Sequence, residues 1–124
     1  MTMSSSLLAT LLADRSGLTV PQVNTMILQQ RVRNGELSAK QAASKRLPKP
    51  VAVGAYYRVL SQAKSSVRES VYTLLLCEKL GILSAADLKR LIDLVSKVPD
   101  DVEPRQSSEV MSLVESLVKK MVTL

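Results

Sequence analysis

Positively charged side chains are concentrated in the middle of this chain. Residues 31–68 contain nine basic residues and one acidic residue, Glu36, whereas residues 69–124 contain seven bases and nine acids. The nine are Arg31, Arg33, Lys40, Lys45, Arg46, Lys49, Arg58, Lys64 and Arg68. Cations at this density attract phosphate groups, because few carboxylates are present to repel them. The segment therefore predicts a nucleic-acid-binding surface on a scaffold that is not itself basic.

Catalytic chemistry has little support in the sequence. The chain contains no histidine and one cysteine, Cys77. This composition excludes Cys/His zinc sites and the Ser–His and Cys–His pairs of nucleophilic catalysis. Cys77 follows three leucines, so we expect a buried and unreactive thiol. We predict no enzyme activity, no metal site and no cofactor.

Chain length and composition limit the size of the core and indicate where the protein resides. A chain of 124 residues can bury a modest core. The apolar run at 7–13 is too short to span a bilayer, and no basic residue precedes it as in a signal peptide. A single cysteine cannot form an internal disulfide. We therefore expect a soluble, cytoplasmic protein without a membrane partner.

The spacing of apolar residues predicts an all-α fold of five to six helices. Thr19, Ser38 and Ser84 are suited to cap helix N-termini, and Gly35 and Gly81 are suited to follow helix C-termini. With three tyrosines and neither Phe nor Trp, the core must be built from Leu, Val, Ala and Met. The expected helices cover about 7–13, 19–33, 39–47, 52–80, 84–97 and 107–122.

Three regions are expected along the chain. Residues 1–17 form an N-terminal helical arm that begins irregularly over residues 1–6. Residues 18–68 form the nucleic-acid-binding region, and residues 69–124 form a helical core and dimerisation region. The stretch 99–104, with its prolines and acids, is expected to be a linker within this last region.

The order of motifs in residues 18–68 resembles a helix-turn-helix of the sigma-factor region 4 class, including the archaeal Tfx-type regulators. The matching steps are Leu18-Thr19, Gly35-Glu36-Leu37-Ser38, Gln41-Ala42-Ala43, Tyr57-Arg58-Val59-Leu60 and Gln62-Ala63-Lys64. The turn is longer than in that class and contains Pro48 and Pro50. The resemblance implies a transcriptional regulator that places its second helix in the major groove of duplex DNA.

The DNA-binding residues expected on this basis are mostly cations. They are Lys40, Lys45, Arg46, Lys49, Tyr56, Arg58, Gln62, Lys64 and Arg68. The second helix begins with Val51–Gly54, which offers methyl groups and no base-reading donors or acceptors. Tyr56 or Gln62 is therefore the expected base-facing side chain, and the cations are expected to contact phosphates.

Other interpretations remain open at this point. Phosphate attraction does not distinguish DNA from RNA, and exposed tyrosines could stack on the bases of a single strand. The chain could also be a helical protein–protein adaptor whose basic face is only solvated. In that case Tyr56 and Tyr57 would be core and half-core aromatics.

The last predicted helix carries an apolar stripe that we expect to form a homodimer interface. Its members are Val110, Leu113, Val114, Leu117, Val118 and Met121. The helix at 84–97 is expected to pack on Val67, Val71, Leu74 and Leu75 of the long helix. That arrangement would leave the terminal stripe without a partner in its own chain.

Overall fold

The predicted all-α fold is confirmed by a computed structural model, which describes residues 6–124. Of the irregular start expected at residues 1–6, residues 1–5 lie outside the described part of the chain. Over residues 6–124 the chain forms helices and contains no strand. The helices are α1 (Leu7–Arg15), α2 (Val20–Arg33), α3 (Ala39–Ser44), α4 (Val53–Lys79), α5 (Ala85–Ser96) and α6 (Pro104–Met121).

The predicted caps account for where the helices begin. Thr19 and Ser38 each form a capping box, in which the side chain accepts from the backbone N–H three residues on. Gln22 and Gln41 accept from the cap residues' own N–H groups in return. Ser84 accepts from the N–H of Asp87 at the start of α5. These side chains satisfy N–H groups that would otherwise lack a partner in the helix.

Helices α3 and α6 differ most from their predicted bounds. Helix α3 ends at Ser44 and not near residue 47, and the backbone then turns so that the Arg46 side chain is buried. Helix α6 begins at Pro104, within the predicted linker. Proline is well suited to the first helical turn, since its missing N–H would have no partner there.

The first of two compact units comprises residues 15–69, and its core joins α2, α3 and the start of α4. Leu28 of α2, Ala42 and Ala43 of α3, and Tyr56 and Leu60 of α4 form this core. The two alanines are almost fully buried, as expected where small residues allow helices to approach closely.

A polar cluster attaches the turn between α3 and α4 to helix α2. The backbone N–H of Leu47 donates to Oδ1 of Asn24 over 2.7 Å. The Arg46 guanidinium donates to the Thr25 hydroxyl over 3.4 Å and to the carbonyl oxygen of Leu47 over 3.2 Å. Asn24, Thr25 and Arg46 are all buried, so these hydrogen bonds compensate for the loss of contact with water.

The second unit comprises residues 70–124 together with residues 6–14 of the N-terminal region. Its core consists of Leu8 from α1 and Met111 and Val114 from α6. Side chains of α5, among them Leu91 and Leu94, pack against this core. The N-terminal arm predicted at residues 1–17 therefore contributes Leu8 to a core shared with the C-terminal helices.

The predicted cover of helix α5 is wrong. Val67, Val71, Leu74 and Leu75 of α4 all remain exposed. Leu91, Leu94 and Val95 of α5 pack instead with the α1–α6 cluster, because the N-terminal helix supplies apolar surface that the prediction left out. None of the described helices is both long and apolar enough to cross a membrane.

Candidate nucleic-acid interface

The first four turns of α4 have a buried side and an exposed side. Tyr56, Leu60 and Ala63 recur at helical spacing and are buried in the first unit. Arg58 and Gln62 are one turn apart on the exposed side. A rigid helix with a buried apolar face can therefore present these two polar side chains to a partner.

Tyr56 does not occupy the predicted base-facing position. Its side chain is fully buried, and its hydroxyl donates to Oε1 of Gln29 over 2.9 Å. Burial, together with the neighbouring Tyr57, raises the pKa of the Tyr56 phenol above its ordinary value. The prediction was wrong because residue 56 shares the helix face of Leu60 and Ala63, a pattern that the sequence already contained.

Tyr57, next to Tyr56 in the first unit, reaches solvent. It is 50 % exposed, and its ring meets that of Tyr56 edge-on with centroids 5.7 Å apart. This contact restricts the orientation of the exposed ring. Tyr57 is thus placed to contact a ligand. The sequence offered it only as a stacking residue in the single-strand alternative and did not include it among the DNA contacts.

The prediction that Arg46 contacts phosphate is also wrong. The residue is only 7 % exposed, and its guanidinium bonds to Thr25 and to the backbone of the turn. The missed signal lies in α2, where Asn24 and Thr25 interrupt the apolar spacing and supply polar partners for a buried turn. Arg46 consequently stabilises the turn before α4.

The other predicted contact residues are exposed. They are Lys40, Lys45, Lys49, Arg58, Gln62, Lys64 and Arg68. None of the six cations among them has an ion-pair partner within residues 6–124. Glu36 lies 3.8 Å from Arg31, so its carboxylate is directed to a basic residue outside this set. The six cations therefore remain available to an anionic partner.

A groove of about 470 Å³ runs between α2 and α4 within the first unit. Its floor includes Leu60 and Ala63, and its rim carries Arg33, Lys64 and Arg68. Arg33 was counted in the basic segment but was not selected as a contact residue. Because none of the described residues that line the groove is acidic, the electrostatic field there attracts anions.

The predicted dimer stripe of α6 is divided in the structure. Val114 is buried in its own chain's core and Val110 packs beside it, because α1 and α5 cover that side. Leu113, Leu117 and Val118 are exposed, and Met121 is partly buried. The expectation that the whole stripe lacks cover is therefore wrong for Val110 and Val114.

Within residues 6–124, no group of three or more cysteine and acidic side chains is placed to hold a metal ion. The chain matches no protein-family model, no curated protein and no solved structure.

Proposed function

We propose that this chain is a DNA-binding protein, and specifically a cytoplasmic transcriptional regulator. In this proposal α3 and α4 act as a helix-turn-helix. Helix α4 lies in the major groove, and lysines and arginines of the first unit contact phosphates on either side. The observation that carries the proposal is a set of six exposed cations on a three-helix unit, none of which has an acidic partner among residues 6–124.

The packing of the first unit supports this assignment. A recognition helix must pack against other helices on its buried side so that its exposed side can enter the major groove of DNA. In this unit α2 and α3 brace α4 through Leu28, Ala42, Ala43, Tyr56 and Leu60. The B-DNA major groove is about 12 Å wide and admits one such helix.

The chemistry of the exposed side chains supports a division of roles. Lys40, Lys45 and Lys49 lie on α3 and in the following turn, where compact ammonium groups suit phosphate contacts. Arg58 and Gln62 carry donor groups that match guanine and adenine edges in the major groove. Tyr57 replaces Tyr56 as the aromatic contact, because Tyr57 is half exposed whereas Tyr56 is buried.

Titration with labelled nucleic acids at several salt concentrations tests the proposal. We expect duplex DNA to bind with micromolar or tighter affinity at low salt. If four to six phosphates are neutralised, log K should fall against log salt with a slope of about −4 to −5. A slope near zero would contradict a phosphate-based interface.

Single-stranded DNA and RNA of matched length form the other arms of the titration. Preference for single-stranded RNA would replace the duplex assignment and would agree with stacking of bases on the exposed Tyr57. If no nucleic acid binds at low salt, the helical adaptor becomes the better account. All arms use the full chain, so that the second unit is present throughout.

A further inference from the structure

The C-terminal part of helix α4 exposes an unusual amount of apolar surface. We define the α4 patch as Val71, Tyr72, Leu74, Leu75 and Leu76 of α4 together with Leu80, which directly follows the helix. Tyr72 is 73 % exposed, Leu80 is 62 % exposed and Leu75 is 61 % exposed. Among residues 70–80, Cys77 is partly buried and all the others are exposed.

The patch extends around most of the helix circumference. At 100° per residue, its members cover an arc of roughly 240°. A helix that is apolar around most of its surface is normally buried, whereas a solvated helix keeps one polar side. This arc contributes no residue to either apolar core of the described chain. The α4 patch therefore has the composition of a helix that packs against a partner.

We propose that the α4 patch is a homodimer interface in which α4 helices from two copies pack antiparallel. Area provides the first argument for a second copy. Six large side chains, each more than a third exposed, leave on the order of 500 Å² of apolar surface in water, near the upper end for a monomer. An antiparallel pair covers the part of this surface that lies on the side of Tyr72 and Leu76, with Leu75 and Leu80 at its borders. This part suits an interface smaller than that of standard-size complexes, which bury about 800 Å² per partner.

Charge complementarity provides the second argument and selects the antiparallel direction. Glu69, Tyr72, Leu76 and Lys79 follow a 3-4-3 spacing and share one side of the helix. In an antiparallel pair centred on residue 74, Tyr72 lies opposite Leu76 of the second copy. The same register places Glu69 opposite Lys79 of the second copy, twice because of the twofold symmetry. In a parallel pair in register, like charges would face each other.

Sedimentation of the full chain without nucleic acid tests the interface independently of DNA binding. From about 1 to about 100 μM, we expect the unmodified protein to associate into dimers. Leu76→Glu should weaken association at least about tenfold, because it would bury an unpaired carboxylate between the helices. Leu76 is 56 % exposed, so we expect the variant to retain its helix content by circular dichroism.

Leu113→Glu is the matched control, because Leu113 is exposed to a similar degree on α6, the helix first expected to form the interface. We expect this variant to remain dimeric. A monomeric unmodified protein at the highest concentration would overturn the proposal. So would a dimer that Leu113→Glu disrupts and Leu76→Glu leaves intact.

A charge exchange tests the register. Lys79→Glu should weaken the dimer, since it places Glu69 and the new carboxylate opposite each other. The double variant Glu69→Lys, Lys79→Glu should restore association. The two positions are about 15 Å apart along one helix and cannot pair within a chain, so restoration reports on contact between copies. Failure of the double variant to restore the dimer would overturn the antiparallel arrangement.

Discussion

Asn24 of α2 accepts the backbone N–H of Leu47, twenty-three residues further on, over 2.7 Å. Asn24 is buried, and its side chain thereby fixes the turn that leads into α4. The position of α4, the proposed recognition helix, thus depends on a hydrogen bond between α2 and the turn that precedes α4.

Asn24→Ala should lower the free energy of unfolding by about 1–3 kcal/mol, because it leaves the N–H of Leu47 without its acceptor. Gln30→Ala, at an exposed position on the same helix, is the control and should change stability by about 0.5 kcal/mol or less. Urea denaturation measures both. Equal effects of the two variants would contradict a structural role for Asn24.

Arg46 and Arg58 should respond oppositely to substitution by alanine. Arg46→Ala should destabilise the first unit by about 1–3 kcal/mol, since it removes buried hydrogen bonds to Thr25 and to the turn. Arg58→Ala should leave the melting temperature nearly unchanged but weaken binding to duplex DNA. Thermal melting and DNA titration of both variants decide the matter, and the reverse pattern would place the DNA face elsewhere.

Lys49→Ala should weaken duplex binding and make the salt dependence shallower by about one unit of slope, because one phosphate contact is lost. Lys89→Ala is the control, since Lys89 is an exposed lysine of α5 in the second unit. Titrations at several salt concentrations give the slopes. An equal loss from both variants would indicate attraction by net charge and no localised interface.

Tyr56→Phe should cost about 1 kcal/mol by removing the hydrogen bond to Gln29. The raised pKa of Tyr56 also predicts a pH effect. Above about pH 10 the unfolded state ionises at this residue while the folded state does not, so stability is lost as pH rises through the folded-state pKa. The phenylalanine variant should lose less stability in this range. Denaturation at pH 8 and above tests this, and parallel curves for the two proteins would contradict it.

Met111→Ala should destabilise the second unit by about 2–5 kcal/mol, because Met111 is buried against Leu8 and Val114. Leu113→Ala, two residues along and exposed, should cost far less. Denaturant unfolding compares the two. A larger loss from Leu113 would mean that the other side of α6 is the buried one.

The sequence alone determined the helices of this protein. Thr19 and Ser38 are followed three residues on by Gln22 and Gln41, so each capping box is encoded within four residues. Gly35 adopts a positive φ of 80° just beyond the end of α2, as its lack of a side chain permits. The exposure of most cations also followed from the sequence, because charged side chains rarely lose contact with water.

Only the tertiary structure decided which residues these helices bury. Arg46 is buried because Asn24 and Thr25, more than twenty residues away, supply polar partners for it and for the turn. Val114 is covered because Leu8, at the other end of the chain, packs beside it. Local spacing specifies a helix and its apolar side, but the partner of that side depends on contacts between residues far apart in sequence. The exposed α4 patch follows from the same physics, since its apolar spacing does not specify what covers it.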